Sequence, residues 1–148
     1  VLTYVLDMDN SMRYFTRNDF ADQALDLNDV HALAEQNFLA YAGDKVGLKS
    51  FDGSSLVLFS LDGNYEATLL LYLRELLESA GLPFADDCAF AVPTRDAVLA
   101  CAADDAAALA QMREAAAEIA ERSPYRVSQY FYRRKDGEIT LLDEVLPH

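Results

Sequence analysis

Hydrophobic and polar positions run along this chain in short blocks that repeat one order, two strands and then a helix. Leu2 to Asp7 and Met12 to Thr16 read as strands around an Asp9-Asn10-Ser11 turn, and Val30, Leu33, Ala34, Phe38 and Tyr41 then recur at helical spacing. Lys45 to Phe51 and Leu56 to Leu61 flank Asp52-Gly53-Ser54. Asp62-Gly63-Asn64 leads into a leucine-rich helix from about Tyr65 to Ala80, stopped by Gly81 and Pro83. In the third block, Cys88 to Cys101, two wholly apolar runs flank Pro93-Thr94-Arg95-Asp96. A continuous apolar run of strand length fits a strand covered on both faces, so helices should lie over at least one side of this hairpin. Asp104 and Asp105 supply cap and first-turn residues for an alanine-rich helix ending near Arg122, with the stripe Leu109, Met112, Ala116, Ile119. A last hairpin, Val127 to Arg133 against Ile139 to Asp143, turns at Asp136-Gly137, a strong hairpin dipeptide. Hairpins cannot build a purely parallel sheet. The pattern therefore predicts an α+β fold of repeated β-hairpin/helix units, its sheet mixed or mostly antiparallel and packed with helices.

With 148 residues, 52% of them hydrophobic, and no linker rich in Ser, Gly or Pro, the expectation is one domain over 1–148. Val1 already sits in strand-like sequence, which fits a fragment of a longer chain or a processed form. Twelve Lys and Arg against 25 Asp and Glu give a formal charge of −13, which repels phosphate backbones and anionic lipid. Neither nucleic acid nor a membrane is expected as a partner: no stretch approaches the ~20 apolar residues of a span, and the start lacks signal-peptide features, so the chain reads as cytosolic. Two cysteines are too few for a disulfide framework. A two- or four-residue turn centred on Thr94 and Arg95 would set Cys88 directly opposite Cys101, as reduced core thiols or, on the sharper reading, a redox pair.

The ordered motifs Tyr4-Val5-Leu6-Asp7, Ala34-Glu35-Gln36-Asn37-Phe38-Leu39, Asp62-Gly63-Asn64-Tyr65-Glu66-Ala67 and Val92-Pro93-Thr94-Arg95-Asp96 follow one another as in the YtpQ-like bacterial proteins. The chain resembles the C-terminal part of that family's longer members. The resemblance implies a bacterial cytosolic protein, and it supplies no activity and no catalytic residue.

Candidate chemistry is sparse. On a helical wheel centred on Leu73, Glu66 falls on the apolar face with Leu69, Leu70, Leu76, Leu77 and Ala80, while Leu71 and Tyr72 lie off it. A carboxylate there either complements the helix start or needs a cation, and Arg95 on the buried turn is the candidate partner, with Asp96 nearby. The plain reading is a structural ion pair; the sharper one is a small polar-ligand site of Glu66, Arg95 and Asp96. Asn37 lies among the inward residues of its helix and must satisfy an amide, so it joins the ligand-site candidates. His31 lacks metal-ligand spacing and triad partners, and the acids Asp7, Asp9, Asp62, Asp86, Asp87, Asp104 and Asp105 sit where turns and helix starts favour acids anyway. No metal, cofactor or catalytic set is assigned, and no Walker loop, GxGxxG or GxSxG is present. The last hairpin concentrates Tyr130, Tyr132, Arg133 and Arg134 with Tyr125, Arg126 and Lys135, residue types that interface hot spots use.

Three functions compete. The first is a non-enzymatic interaction or regulatory module, binding a protein partner or itself. The second is a ligand-binding protein or enzyme with a Glu/Arg/Asp pocket. The third is an acidic neutraliser of a basic partner.

Overall fold

A computed structural model describes residues 3–8, 11–22 and 24–143, with the side chains of Asp22 and Asp143 outside it. The start of the first expected strand at Leu2, the turn residues Asp9 and Asn10, and His148 lie outside the described residues. The chain forms two compact units, Val1–Asp44 and Lys45–His148.

In the first unit, β1 (Val5–Met8) pairs antiparallel with β2 (Ser11–Tyr14), followed by α1 (Arg17–Asp22) and α2 (Leu27–Ala42). The short α1 lies in a stretch that reads as merely polar in sequence. Asp26 starts α2, its carboxylate accepting from the Asn28 backbone N–H at 2.8 Å. Of the expected inward stripe, Val30, Ala34 and Phe38 are half-buried while Leu33 and Tyr41 are exposed. Asn37 is exposed too, a correction to its expected core position: the covered strip of α2 is one residue wide per turn and Asn37 lies beside it.

The second unit is built on a six-stranded antiparallel sheet. Its strands are β3 (Gly47–Ser50), β4 (Val57–Ser60), β5 (Asp87–Thr94), β6 (Ala97–Ala102), β7 (Phe131–Lys135) and β8 (Glu138–Asp143), in the spatial order β3-β4-β6-β5-β7-β8. The expected helix over 65–80 begins as a 3-10 helix, Glu66–Tyr72, and becomes α3 (Leu73–Ser79). Its first turn is tight because the Ala67 N–H is bonded to the Arg95 carbonyl at 2.9 Å and the Thr68 N–H to the Tyr65 carbonyl at 2.9 Å. Helix α4 (Ala106–Arg122) starts at Asp105 as anticipated. The Asp105 carboxylate accepts from the Ala108 N–H at 3.0 Å, and from the Ser55 N–H and hydroxyl at 3.0 and 2.8 Å, tying the β3–β4 loop to the helix.

The buried hairpin lies at the centre of this sheet. Ala89, Ala91, Leu99 and Cys101 pack with Ala108, Met112 and Ala116 of α4. The alternate residues Phe90, Val92, Val98 and Ala100 are buried as well, and the 3-10 helix lies against β6 and β4. Helices on both faces are what the unbroken apolar runs of β5 and β6 demand.

The cysteine register differs from expectation. The turn holds two residues, Arg95 and Asp96, but Cys88 faces Ala102 and Cys101 faces Ala89. Between Ala91 and Thr94, β5 carries one more residue than β6, at Val92-Pro93, where a proline has no N–H to give a regular ladder. Successive residues point to opposite faces, so this one-residue slip turns the two thiols away from each other.

Candidate functional site

Glu66 is 2% exposed. One carboxylate oxygen accepts from the Leu61 N–H at 2.9 Å and the Gly63 N–H at 2.7 Å, drawing in the loop after β4; the other, Oε2, is buried and has no hydrogen-bond partner. Arg95 is close in the fold, through the Ala67–Arg95 backbone bond, but the two form no ion pair. The Arg95 guanidinium instead lies 3.6 Å above the Tyr125 ring, reaches Asn64 Oδ1 at 3.4 Å and leaves its buried Nε unpartnered. Stacking on an aromatic face, reinforced by the Arg95 N–H to Tyr125 carbonyl bond at 3.0 Å, draws the side chain away from Glu66. Asp96 is exposed, and Asn37 belongs to the other unit. The neighbouring Thr94 hydroxyl, fully buried, also lacks a partner. Thus Glu66, Thr94 and Arg95 bring three unsatisfied buried polar atoms to one end of the hairpin, and the exposed Asp96 is not part of that buried set.

The tyrosines and arginines of the last hairpin are largely engaged within the protein. Tyr132 stacks on Phe90 with ring centroids 5.3 Å apart and exchanges a hydrogen bond with Ser128 at 2.8 Å. Tyr130 is half-buried, its N–H bonded to the Ser128 hydroxyl. Arg133 grips both oxygens of Asp87 at 2.7 Å, and Lys135 shares that carboxylate at 3.7 Å. That grip holds the Asp87 carboxyl below the usual range. Arg134 reaches the Ala85 carbonyl at 3.5 Å and Arg126 the Ala120 carbonyl at 3.2 Å. These cations stitch β7 and its approach to β5 and to the end of α4.

Both thiols are buried, and burial pushes Cys88 up to about 11 and Cys101 to about 12. Neither is a nucleophile at neutral pH, and their opposed directions exclude a redox pair with each other. His31 Nδ1 meets the Tyr4 hydroxyl at 2.9 Å, the rings edge to face. Among the described residues, no group of three or more His, Cys, Asp or Glu could hold a metal ion, and no helix is long and apolar enough to cross a membrane.

A surface that the sequence pattern did not announce lies on the first unit. Of the fifteen exposed large hydrophobic residues among those described, nine fall between Leu6 and Tyr41, and Ala42 is the only buried residue described in this unit. The register explains part of this. Val5 faces Tyr14 and Asp7 faces Met12, so Tyr14 and Met12 share one side, and Leu6 and Met8 share the other. An ordinary surface hairpin is apolar on one side; the pattern Leu6-Asp7-Met8 with Met12-Arg13-Tyr14 was the available signal. No family model, curated protein or solved structure matches the chain.

Proposed function

We propose that this protein is a non-enzymatic interaction module whose working surface is the β1–β2 hairpin together with α2. The observation that carries this reading is the exposed apolar surface of that unit: Tyr14 is 67%, Met8 50% and Met12 46% exposed, on a hairpin with apolar residues on both sides. An isolated two-stranded ribbon is marginal in water, and large exposed apolar surface marks contact sites. The proposal moves the interface from Tyr130, Tyr132, Arg133 and Arg134 to the first unit, because the Tyr132, Arg133 and Arg134 side chains already serve internal contacts. It retains the YtpQ-like, bacterial and cytosolic assignment on the ordered motifs alone.

The test is site-specific photo-crosslinking in cells, with benzoylphenylalanine replacing Tyr14 and, as a control, Ile139 on β8. A discrete crosslinked species from position 14 that is lost on Met12→Ser supports the module. Equal or absent crosslinking at the two positions removes it.

A second reading has its own observation. The unpartnered Oε2 of Glu66, hydroxyl of Thr94 and Nε of Arg95 offer an acceptor and donors to a small zwitterion. Thermal shift with a panel of free amino acids tests it: a stabilisation that disappears in Glu66→Gln supports the site, and no shift across the panel rejects it.

A further inference from the structure

The occupant of the hairpin surface can be narrowed by charge. Residues 1–44 contain eight carboxylates, Asp7, Asp9, Asp19, Asp22, Asp26, Asp29, Glu35 and Asp44, against two arginines, Arg13 and Arg17. Arg13 is committed to Asp19, Nη1 to Oδ1 at 2.8 Å, and so gives little to an outside anion. The apolar surface thus lies within a strongly acidic unit. A second copy of the chain would bring like charge against like charge, −13 against −13 over the whole molecule. A partner segment carrying Lys or Arg beside its apolar residues meets no such repulsion.

Backbone geometry restricts the partner further. Among the described residues, strands β1 and β2 pair only with each other, which leaves both edges of the ribbon without a strand partner there, and each strand is four residues long. An added strand would make a three-stranded sheet, satisfy edge N–H and carbonyl groups, and present alternate side chains to one side of the ribbon. Met12 and Tyr14 supply that side with one flexible and one broad apolar contact.

We infer that the β1–β2 hairpin binds an extended protein segment in which apolar residues alternate with Lys or Arg, added as a third strand at an edge of the ribbon with its apolar side chains on the face of Met12 and Tyr14. The inference rests on the interaction reading above and names its partner's chemistry.

The test uses the full chain and three labelled synthetic peptides, alternating Val/Lys, Val/Glu and Ser/Lys, followed by fluorescence anisotropy across a salt series and by amide hydrogen exchange. The Val/Lys peptide should bind, slow exchange in β1 and β2, and weaken as salt screens the charges. Met12→Ser with Tyr14→Ser should weaken it roughly tenfold or more, while Ile139→Ser leaves it unchanged. Where the double variant loses its hairpin, the salt series and the exchange map on the unaltered chain still decide. Equal binding of Val/Glu refutes the charge argument, equal binding of Ser/Lys refutes the apolar one, and protection outside β1–β2 refutes the site. Should light scattering show self-association that grows with salt and is lost in the double variant, the occupant is a second copy; the basic-partner inference then fails while the interaction module stands. A double variant that alters neither binding nor association sinks both.

Discussion

Replacing Glu66 separates the hydrogen bonds it makes from the charge it carries. Glu66→Ala removes the acceptor for the Leu61 and Gly63 N–H groups, held at 2.9 and 2.7 Å. Hydrogen bonds to a charged acceptor contribute about 1.5–3 kcal/mol each. The loss is less than their sum because Gly63 is exposed and its N–H regains water, and because a buried carboxylate oxygen without a partner disappears with the side chain. The expected net destabilisation is about 2 kcal/mol, a shift of about 1 M in the urea midpoint at unchanged slope. Glu66→Gln keeps an oxygen for both donors and discards the charge, so it should fall within about 1 kcal/mol of wild type. Urea unfolding followed by near-ultraviolet circular dichroism reads both. If Gln costs as much as Ala, the loop bonds are not what Glu66 supplies; its charge then matters through Arg95 or a ligand, and the hydrogen-bond account of this residue is refuted.

The remaining expectations are independent of it. Cys88 and Cys101, held as thiols by burial at about 11 and about 12, should resist a thiol reagent at pH 8 in the native protein and react fully in urea; rapid native labelling or an oxidised pair would contradict the register. Asp105, held low chiefly by the Ala108 and Ser55 hydrogen bonds, and Asp87, held low chiefly by the Arg133 hydrogen bond, have folded values below 3.8. Their stabilisation is therefore complete above the unfolded value and lost as pH falls through the folded one, so the melting temperature should be level above about pH 5 and decline below about pH 4. Asp105→Asn should flatten that decline, and an unchanged acid limb would count against the assignment. Native-state hydrogen exchange should find β1 and β2 far less protected than β5 and β6, since the former are exposed and the latter covered on both faces; comparable protection would mean that the hairpin is already covered.

Much of the architecture was legible because it is encoded over a few residues. Asp136-Gly137 turns β7 into β8 with positive φ at both positions, 50° and 85°, as a two-residue hairpin turn requires. Asp105 caps α4 through a bond three residues on, and the stripe Met112 and Ala116 is buried with Leu109 and Ile119 packed beside it. The apolar runs around Pro93 announced a hairpin with helices over it, and both faces are covered. Each of these depends on alternation, helical period or turn chemistry, which nearest neighbours in sequence decide.

What depended on distant partners was decided only by the tertiary structure. One extra residue at Val92-Pro93 reversed the relation of the two cysteines, because side-chain direction in a strand changes with every residue. Arg95 had Glu66 within its neighbourhood and took the Tyr125 ring, thirty positions further along the chain, whose backbone the sheet brings to its own N–H. Arg133 found Asp87 across β5 and β7 and so left the surface role that its composition suggested. Which apolar residues stay exposed was decided the same way: Leu6-Asp7-Met8 with Met12-Arg13-Tyr14 signals apolar residues on a hairpin, but the register puts Leu6 and Met8 on one side and Met12 and Tyr14 on the other, and the fold leaves all four exposed. Local signals choose elements, whereas exposure and ionic partners are set by which elements meet.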